Sequence, residues 1–293
     1  MSEKSICKTI KDLNLLDSFL FSELTENPEN AKLIARIIIK RVFGWQVDNI
    51  EVESEKQYHG YRIGQKGIRL DLQVTELDNK KIIRFYDIEP NQYIEKFLAK
   101  RSRYYLSLTD AKLLGTSKKY KELPEYFSVW ILPYDPFGDN RMVYTVKNMV
   151  AENPQLVYND GVTRIFLYTD GEIGGNDGLR ALLQYFVKTQ ESNAVDEELQ
   201  ELQSVVSDIK NDKEVGERYM TIEEVIEYEK DDSYEKGHSD GVSAGMKAGI
   251  STGIDGCIRA CRKFGKSDAE IIEVLMEEYA LSHEEAKQKV NNL

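Results

Sequence analysis

Gly67-Ile-Arg-Leu-Asp71-Leu-Gln-Val74, an Asp78-Asn79 turn, and Lys81-Ile-Ile-Arg-Phe-Tyr-Asp-Ile-Glu89-Pro-Asn-Gln92 decide how this chain folds. Ile68, Leu70, Leu72 and Val74 alternate with Arg69, Asp71 and Gln73, which is the period of a half-buried strand. Asp-Asn is turn chemistry, and the run from Lys81 to Ile88 is rich in β-branched and aromatic residues. The stretch therefore predicts a β-hairpin that brings Asp71 and Glu89 close together. A core strand seldom carries an unpaired acid, because burying an isolated carboxylate is costly. Two acids on paired strands can share a divalent ion through oxygen ligands. The same pattern also accommodates Asp71 paired with Arg69 or Arg84, with Glu89 merely ending a strand.

Upstream, Leu13 to Phe21 and Ala31 to Phe43 read as two helices separated by Asn27-Pro28-Glu29-Asn30, with Gly44 as terminator. Trp45 to Tyr61 reads as extended chain, with a loop around His59. Downstream, Ile94 to Leu108 has helical spacing and carries Lys96, Lys100, Arg101 and Arg103 beside Tyr104 and Tyr105. Positive charge and tyrosines just after a pair of acids suit a phosphodiester substrate; a solvated helix face is the plainer reading. Lys112, Lys118, Lys119 and Lys121 add charge in a glycine-containing loop. Tyr126 to Pro133 reads as a core strand, Met142 to Val150 and Thr163 to Tyr168 as further strands, and Gly178 to Thr189 as a closing helix. Residues 1–190 thus form a mixed α/β domain.

The net charge of −12 argues at first against a polyanionic partner, but its location along the chain removes that objection. Residues 191–235 hold 16 acidic and 4 basic residues, and the remainder balances at 35 of each. The remainder is therefore free to present a basic patch to nucleic acid. Within the acidic segment, Leu199, Leu202, Val205, Val206 and Ile209 keep a helical spacing, and Thr221-Ile-Glu-Glu reads as a capping box.

Residues 236–293 form a third segment. Gly237, Gly241, Gly245, Gly249 and Gly253 recur four apart, a stripe that suits close helix approach and makes a homo-oligomer through this region a candidate assembly. Capping boxes at Ser267–Glu270 and Ser282–Glu285 open two short helices, whose many acids argue against a helix-turn-helix reader of DNA. No apolar run is long enough to span a bilayer, and the first residues lack a secretory signature. Cys7, Cys257 and Cys261 agree with a reducing compartment, so the expected location is the cytoplasm, with no membrane partner. Three cysteines and three histidines at these spacings do not suggest zinc.

At the hairpin the order of residues becomes familiar. Gly67-Ile-Arg-Leu-Asp71, Tyr86-Asp-Ile-Glu89 and Lys100-Arg101-Ser-Arg-Tyr-Tyr105 resemble the Rpn-like recombination-promoting nucleases of the PD-(D/E)xK superfamily, a group that includes proteins described as transposases. The Leu16-Asp17 and Asn27-Pro28 region and the glycine-repeat tail look like that family too. The resemblance implies a restriction-endonuclease-like core, a central mixed β-sheet flanked by helices, followed by an all-α C-terminal region. It implies a DNA endonuclease dependent on Mg²⁺, with Mn²⁺ as a substitute, in which Asp71 and Glu89 hold the metal. The third catalytic position falls at Asn91, with Gln92 one residue on; a bulge at Pro90 would swing Gln92 into place. Neither side chain carries the lysine charge of the general motif, so Arg101 is the candidate replacement. Asp17 and Glu23 are candidates to complete the metal site. Arg69, Lys100, Arg101 and Tyr104 are the expected DNA contacts. The departure at residues 90–92 keeps a second reading open, a nuclease-fold protein that binds DNA or a protein partner without cutting it.

Overall fold

The computed structural model describes residues 9–60, 64–115 and 118–293. Cys7 and Tyr61 lie outside the described residues. The chain divides into two compact units, Met1–Met220 and Thr221–Leu293.

The first unit is built on a six-stranded mixed sheet. In chain order its elements are helices Ser18–Glu26 (α1) and Pro28–Phe43 (α2), strands Ile50–Tyr58 (β1), Ile68–Asp78 (β2) and Lys81–Pro90 (β3), and helix Leu98–Leu114 (α3). Strands Glu125–Leu132 (β4), Val143–Val146 (β5) and Val162–Tyr168 (β6) follow, then helices Asp177–Val187 (α4) and Glu197–Asn211 (α5). The strand order is β1-β2-β3-β4-β6-β5. The first three strands are antiparallel, β4 is parallel to β3, β6 is parallel to β4, and β5 closes the edge antiparallel. A parallel neighbour requires a crossover, and α3 supplies it between β3 and β4.

The hairpin turns at Asn79 and Lys80, both with positive φ (48° and 68°), the backbone of a tight two-residue turn whose twist matches the strands. In β4, Phe127, Val129 and Ile131 join one apolar cluster while Tyr126, Trp130 and Leu132 join the other. A strand covered on both faces reads as a continuous apolar run, which is why this segment was so plain in the sequence. The larger cluster lies between the sheet and α1, α2, α4 and α5; the smaller lies under α3 through Leu98, Tyr105 and Leu108.

Several boundaries differ from expectation. Leu13, Leu15 and Leu16 are buried ahead of the first helix rather than in it. The helix starts at Ser18, where Asp17 Oδ1 accepts from the Phe19 N–H at 3.0 Å. That cap uses Asp17 structurally. α3 starts at Leu98, so Tyr93, Ile94 and Phe97 belong to a loop. Asn91 Oδ1 accepts the Tyr93 N–H and Glu95 Oε1 accepts the Phe97 N–H, local bonds that compete with helix.

The acidic segment is also divided differently. α5 buries Leu199, Leu202 and Val206 on the main core. Arg41 donates to Asp196 at 2.8 Å and to Glu198 at 3.1 Å, and Lys40 Nζ lies 2.6 Å from Glu198, so the acidic start of α5 meets the basic end of α2. The boundary therefore falls at Met220/Thr221 rather than at residues 190 and 235. Helix Lys213–Lys263 (α6) begins in the first unit, with Val215 and Tyr219 on its core, and Thr221 lies inside that helix rather than capping a new one.

In the second unit, the end of α6 packs with helices Asp268–Tyr279 (α7) and His283–Asn291 (α8) around Ile254, Ile258, Ile271, Leu275 and Val290. Both expected capping boxes are present, at Ser267 and Ser282. Of the glycine stripe, Gly253 lies against the Tyr279 ring, and a Cβ at Gly237, Gly241, Gly245 or Gly249 would meet open space. Among the described residues, no helix is long and apolar enough to cross a membrane.

Candidate active site

The site forms where β2 and β3 part. Their ladder runs from Asp78–Lys81 to Leu72–Ile88 and stops. β2 continues to Ile68 paired only with β1, while β3 continues to Pro90 paired with β4. Pro90 has no N–H to offer a neighbouring strand, so the split at this end follows from the residue. No register shift occurs at Pro90; the irregularity of this pair lies at Glu76/Leu77. The bulge expected at Pro90 is thus replaced by the end of the ladder.

The β1–β2 pairing also skips one position, Glu55 opposite Asp71, where Glu55 has φ 48°. Left-handed backbone at a non-glycine residue costs about 1 kcal/mol or more. Beyond this point Ile68 and Leu70 pack under α3, whereas Leu72 and Val74 pack on the opposite cluster. The four residues expected on one face of a regular strand are divided by the irregularity beside Asp71.

Asp71 and Glu89 meet across the split. The Asp71 N–H, left without a strand partner, donates to Glu89 Oε1 at 3.0 Å. Glu89 is 1% exposed, and beside it Asp87 is fully buried. Asp87 is the residue that the sequence reading missed. The signal was available, since residues two apart on a strand share a face and Asp87-Ile-Glu89 puts both acids on the same side.

The Tyr126 hydroxyl donates to Asp87 Oδ2 at 2.9 Å. Asp87 Oδ1 has no donor while both acids are ionised; a proton on Glu89 gives it one. Burial pushes Asp71 up to about 6, with Glu55 adding to the rise and Arg69 and Arg101 opposing it. Burial likewise pushes Asp87 to about 7, and it drives Glu89 well above the ordinary range, helped by the charges of Asp87 and Asp71. Three acids in one low-dielectric site resist sharing three negative charges.

Arg101 faces them from α3. Its Nη2 lies 3.8 Å from Glu89 Oε2 and its Nη1 3.6 Å from Glu95 Oε2, while it donates to the Tyr105 hydroxyl at 2.9 Å and lies over the Trp130 ring. A cavity of about 520 Å³ adjoins this arginine, lined by Lys66, Arg69, Phe97, Lys100, Arg101 and Tyr104 among others. The four residues expected to contact DNA therefore line one cavity. Within it Tyr104 donates its hydroxyl to the Lys66 carbonyl, and Arg69 pairs with Glu55 at 3.4 Å.

Other expectations are placed elsewhere. Arg84 pairs with Glu76 and Glu125, away from Asp71. Glu23 pairs with Arg218. Asn91 donates its N–H to the Ile131 carbonyl and spends its side-chain oxygen on the Tyr93 N–H. Among the described residues, no hydrogen bond joins Asn91 or Gln92 to the acids.

The donor set is chemically suited to a hard divalent ion. Among the described residues no three His, Cys, Asp or Glu side chains stand in metal-ligand geometry. Magnesium, however, is commonly held by one or two carboxylates, with waters and substrate phosphate completing its shell. Asp71 and Glu89 offer two such carboxylates, and among the described residues Asp87 Oδ1 is a further buried oxygen whose sole donor is a protonated Glu89. Comparison with protein-family models, with curated proteins and with solved structures gives no match.

Proposed function

We propose that this chain is a metal-dependent DNA endonuclease on a restriction-endonuclease-like core, hydrolysing phosphodiester bonds in recombination or transposition. The observation that carries the reading is the convergence of Asp71, Asp87 and Glu89 at the parted ends of β2 and β3, beside a cation-lined cavity. Acids whose proton affinity is raised by burial and by one another, set beside a cleft, are a physical signature of functional sites. The mixed sheet with helices on both faces and acids on neighbouring strands agrees with that core.

Asp71 and Glu89 would hold the ion, Mg²⁺ or Mn²⁺. An ion held there would supply activation of water and offset charge developing on phosphate. The chain's own contribution is positional. The Asp71 N–H orients the Glu89 carboxyl, and the Tyr126 hydroxyl fixes Asp87. Arg101, held by Tyr105 and Trp130, brings a fixed positive charge to the boundary between acids and cavity, in the role that lysine takes in the general motif. Arg69 and Lys100 supply charge for the flanking phosphates.

One observation favours the second reading, binding without cleavage: the Asn91 side chain is engaged in the turn to Tyr93. Supercoiled plasmid incubated with the protein and Mg²⁺ or Mn²⁺, beside Asp71→Ala and Glu89→Ala, separates the two. Cleavage lost in both variants supports the nuclease. Cleavage that persists in both removes the proposed site, and DNA binding without any cleavage selects the second reading.

A further inference from the structure

The loop between β3 and α3 exposes Tyr93 (77%), Ile94 (80%) and Phe97 (57%), three large apolar side chains within five residues. The loop is held in place. The Tyr93 N–H is bonded to Asn91 Oδ1, the Glu95 N–H donates to the Tyr134 hydroxyl at 3.1 Å, and the Phe97 N–H is bonded to Glu95 Oε1. A pinned loop that keeps its aromatic rings in water is poorly explained by folding, because nothing in the core requires them there. The rings also keep company with cations. Lys96 Nζ and Lys100 Nζ lie 5.6 and 5.4 Å from the Phe97 ring centroid, and Phe97 lines the same cavity as Arg69 and Arg101.

We infer that this loop is a stacking platform for unpaired nucleotides, so that the site takes DNA with a single-stranded or splayed segment in preference to continuous duplex. Aromatic faces flanked by ammonium groups match the two chemistries that a single strand offers, an open base face and a phosphate. A duplex already covers its base faces and gains only the charge term. Tyr93 and Phe97 take bases, while Lys96 and Lys100 face the intervening phosphates. The charge complementarity of the cavity, with Lys66, Arg69, Lys100 and Arg101 against Glu95, favours this occupant over an apolar protein surface. The inference rests on the nuclease reading for its setting, but its test reads binding alone.

The experiment measures fluorescence anisotropy of the full chain in EDTA with a labelled single strand of about 20 nucleotides and with the same strand in duplex. Variants are Tyr93→Ala/Phe97→Ala and the aromatic-preserving Tyr93→Phe/Phe97→Tyr. The wild type is expected to bind the single strand about tenfold tighter than duplex. The alanine pair should lose about tenfold or more on the single strand and less than about twofold on duplex, and the aromatic pair should restore wild-type binding. Equal affinity for both forms, equal loss on both, no loss in the alanine pair, or binding to neither overturns the proposal. Plasmid cleavage with no single-strand preference would leave the nuclease standing and remove the platform. Single-strand preference without cleavage would do the reverse.

Discussion

The Asp71 N–H donates to Glu89 Oε1 across 3.0 Å, at the point where the β2–β3 ladder has ended. The bond replaces a ladder hydrogen bond with one to a side chain, and so fixes a carboxyl that burial alone would leave costly. It also separates two substitutions. Glu89→Gln keeps an acceptor for the Asp71 N–H and an amide to donate to Asp87. That variant is expected to be at least as stable as wild type near pH 8, because it removes an acid whose ionisation burial opposes, and to lose cleavage at least about a hundredfold. Glu89→Ala leaves the N–H without its acceptor and should lose about 2 kcal/mol in urea denaturation. Equal stability of the two variants would contradict this role for the bond.

The acids make the metal-free protein pH-sensitive. Asp71 and Asp87 titrate at about 6 and about 7 when folded, above ordinary carboxylates, and Glu89 is raised further. An acid whose pKa rises on folding binds more protons folded than unfolded. Its stabilisation is therefore complete below the unfolded value and is lost as pH rises through the folded one. The melting midpoint in EDTA should fall between about pH 4.5 and pH 8. Glu89→Gln should reduce that fall. Mg²⁺ at about a hundred times its dissociation constant should restore about 2.7 kcal/mol at pH 8, several degrees of midpoint. A midpoint unmoved by Mg²⁺ would count against the site.

Tyr126→Phe removes the donor to Asp87 Oδ2 and leaves a buried acceptor unmet. The expected cost is about 1–3 kcal/mol in urea denaturation at neutral pH. It should be smaller near pH 5, where a protonated Asp87 demands less of its donor. A cost that does not vary with pH would point to packing rather than to the hydrogen bond.

Much of this was readable from the residues. The alternation from Ile68 to Val74 and the apolar run of β4 gave the hairpin and the central strand, since period-two burial leaves a plain record. The approach of Asp71 to Glu89 followed from the hairpin. Asp87 was overlooked although Asp87-Ile-Glu89 encodes its position. The split beside Pro90 and the skipped pair at Glu55 were not legible, because they depend on which neighbour each strand keeps. The pattern from Ile94 to Leu108 predicts a helix from its first residue; the Asn91 and Glu95 side-chain bonds that hold residues 91–97 as a loop leave no record in that pattern. Likewise the charge of residues 191–235 predicts a separate segment, whereas Lys40 and Arg41 face its start at Asp196 and Glu198 and tie that start to the first unit.

That docking has a consequence for truncation. A chain ending at Met220 should melt cooperatively, whereas one ending at Gln190 loses Leu199, Leu202 and Val206 from the core and should show no cooperative transition. Circular dichroism on both fragments checks this. A cooperative transition in the shorter chain would place the true boundary at residue 190.

The central claim is that Asp71 and Glu89 form a divalent metal site. Electron paramagnetic resonance of Mn²⁺ titrated into the full chain near pH 7.5 tests it most directly. The wild type should remove at least one ion per chain from the free signal, and Glu89→Gln and Asp71→Asn, each still folded, should abolish that uptake. Uptake by both variants equal to that of the wild type would contradict the account.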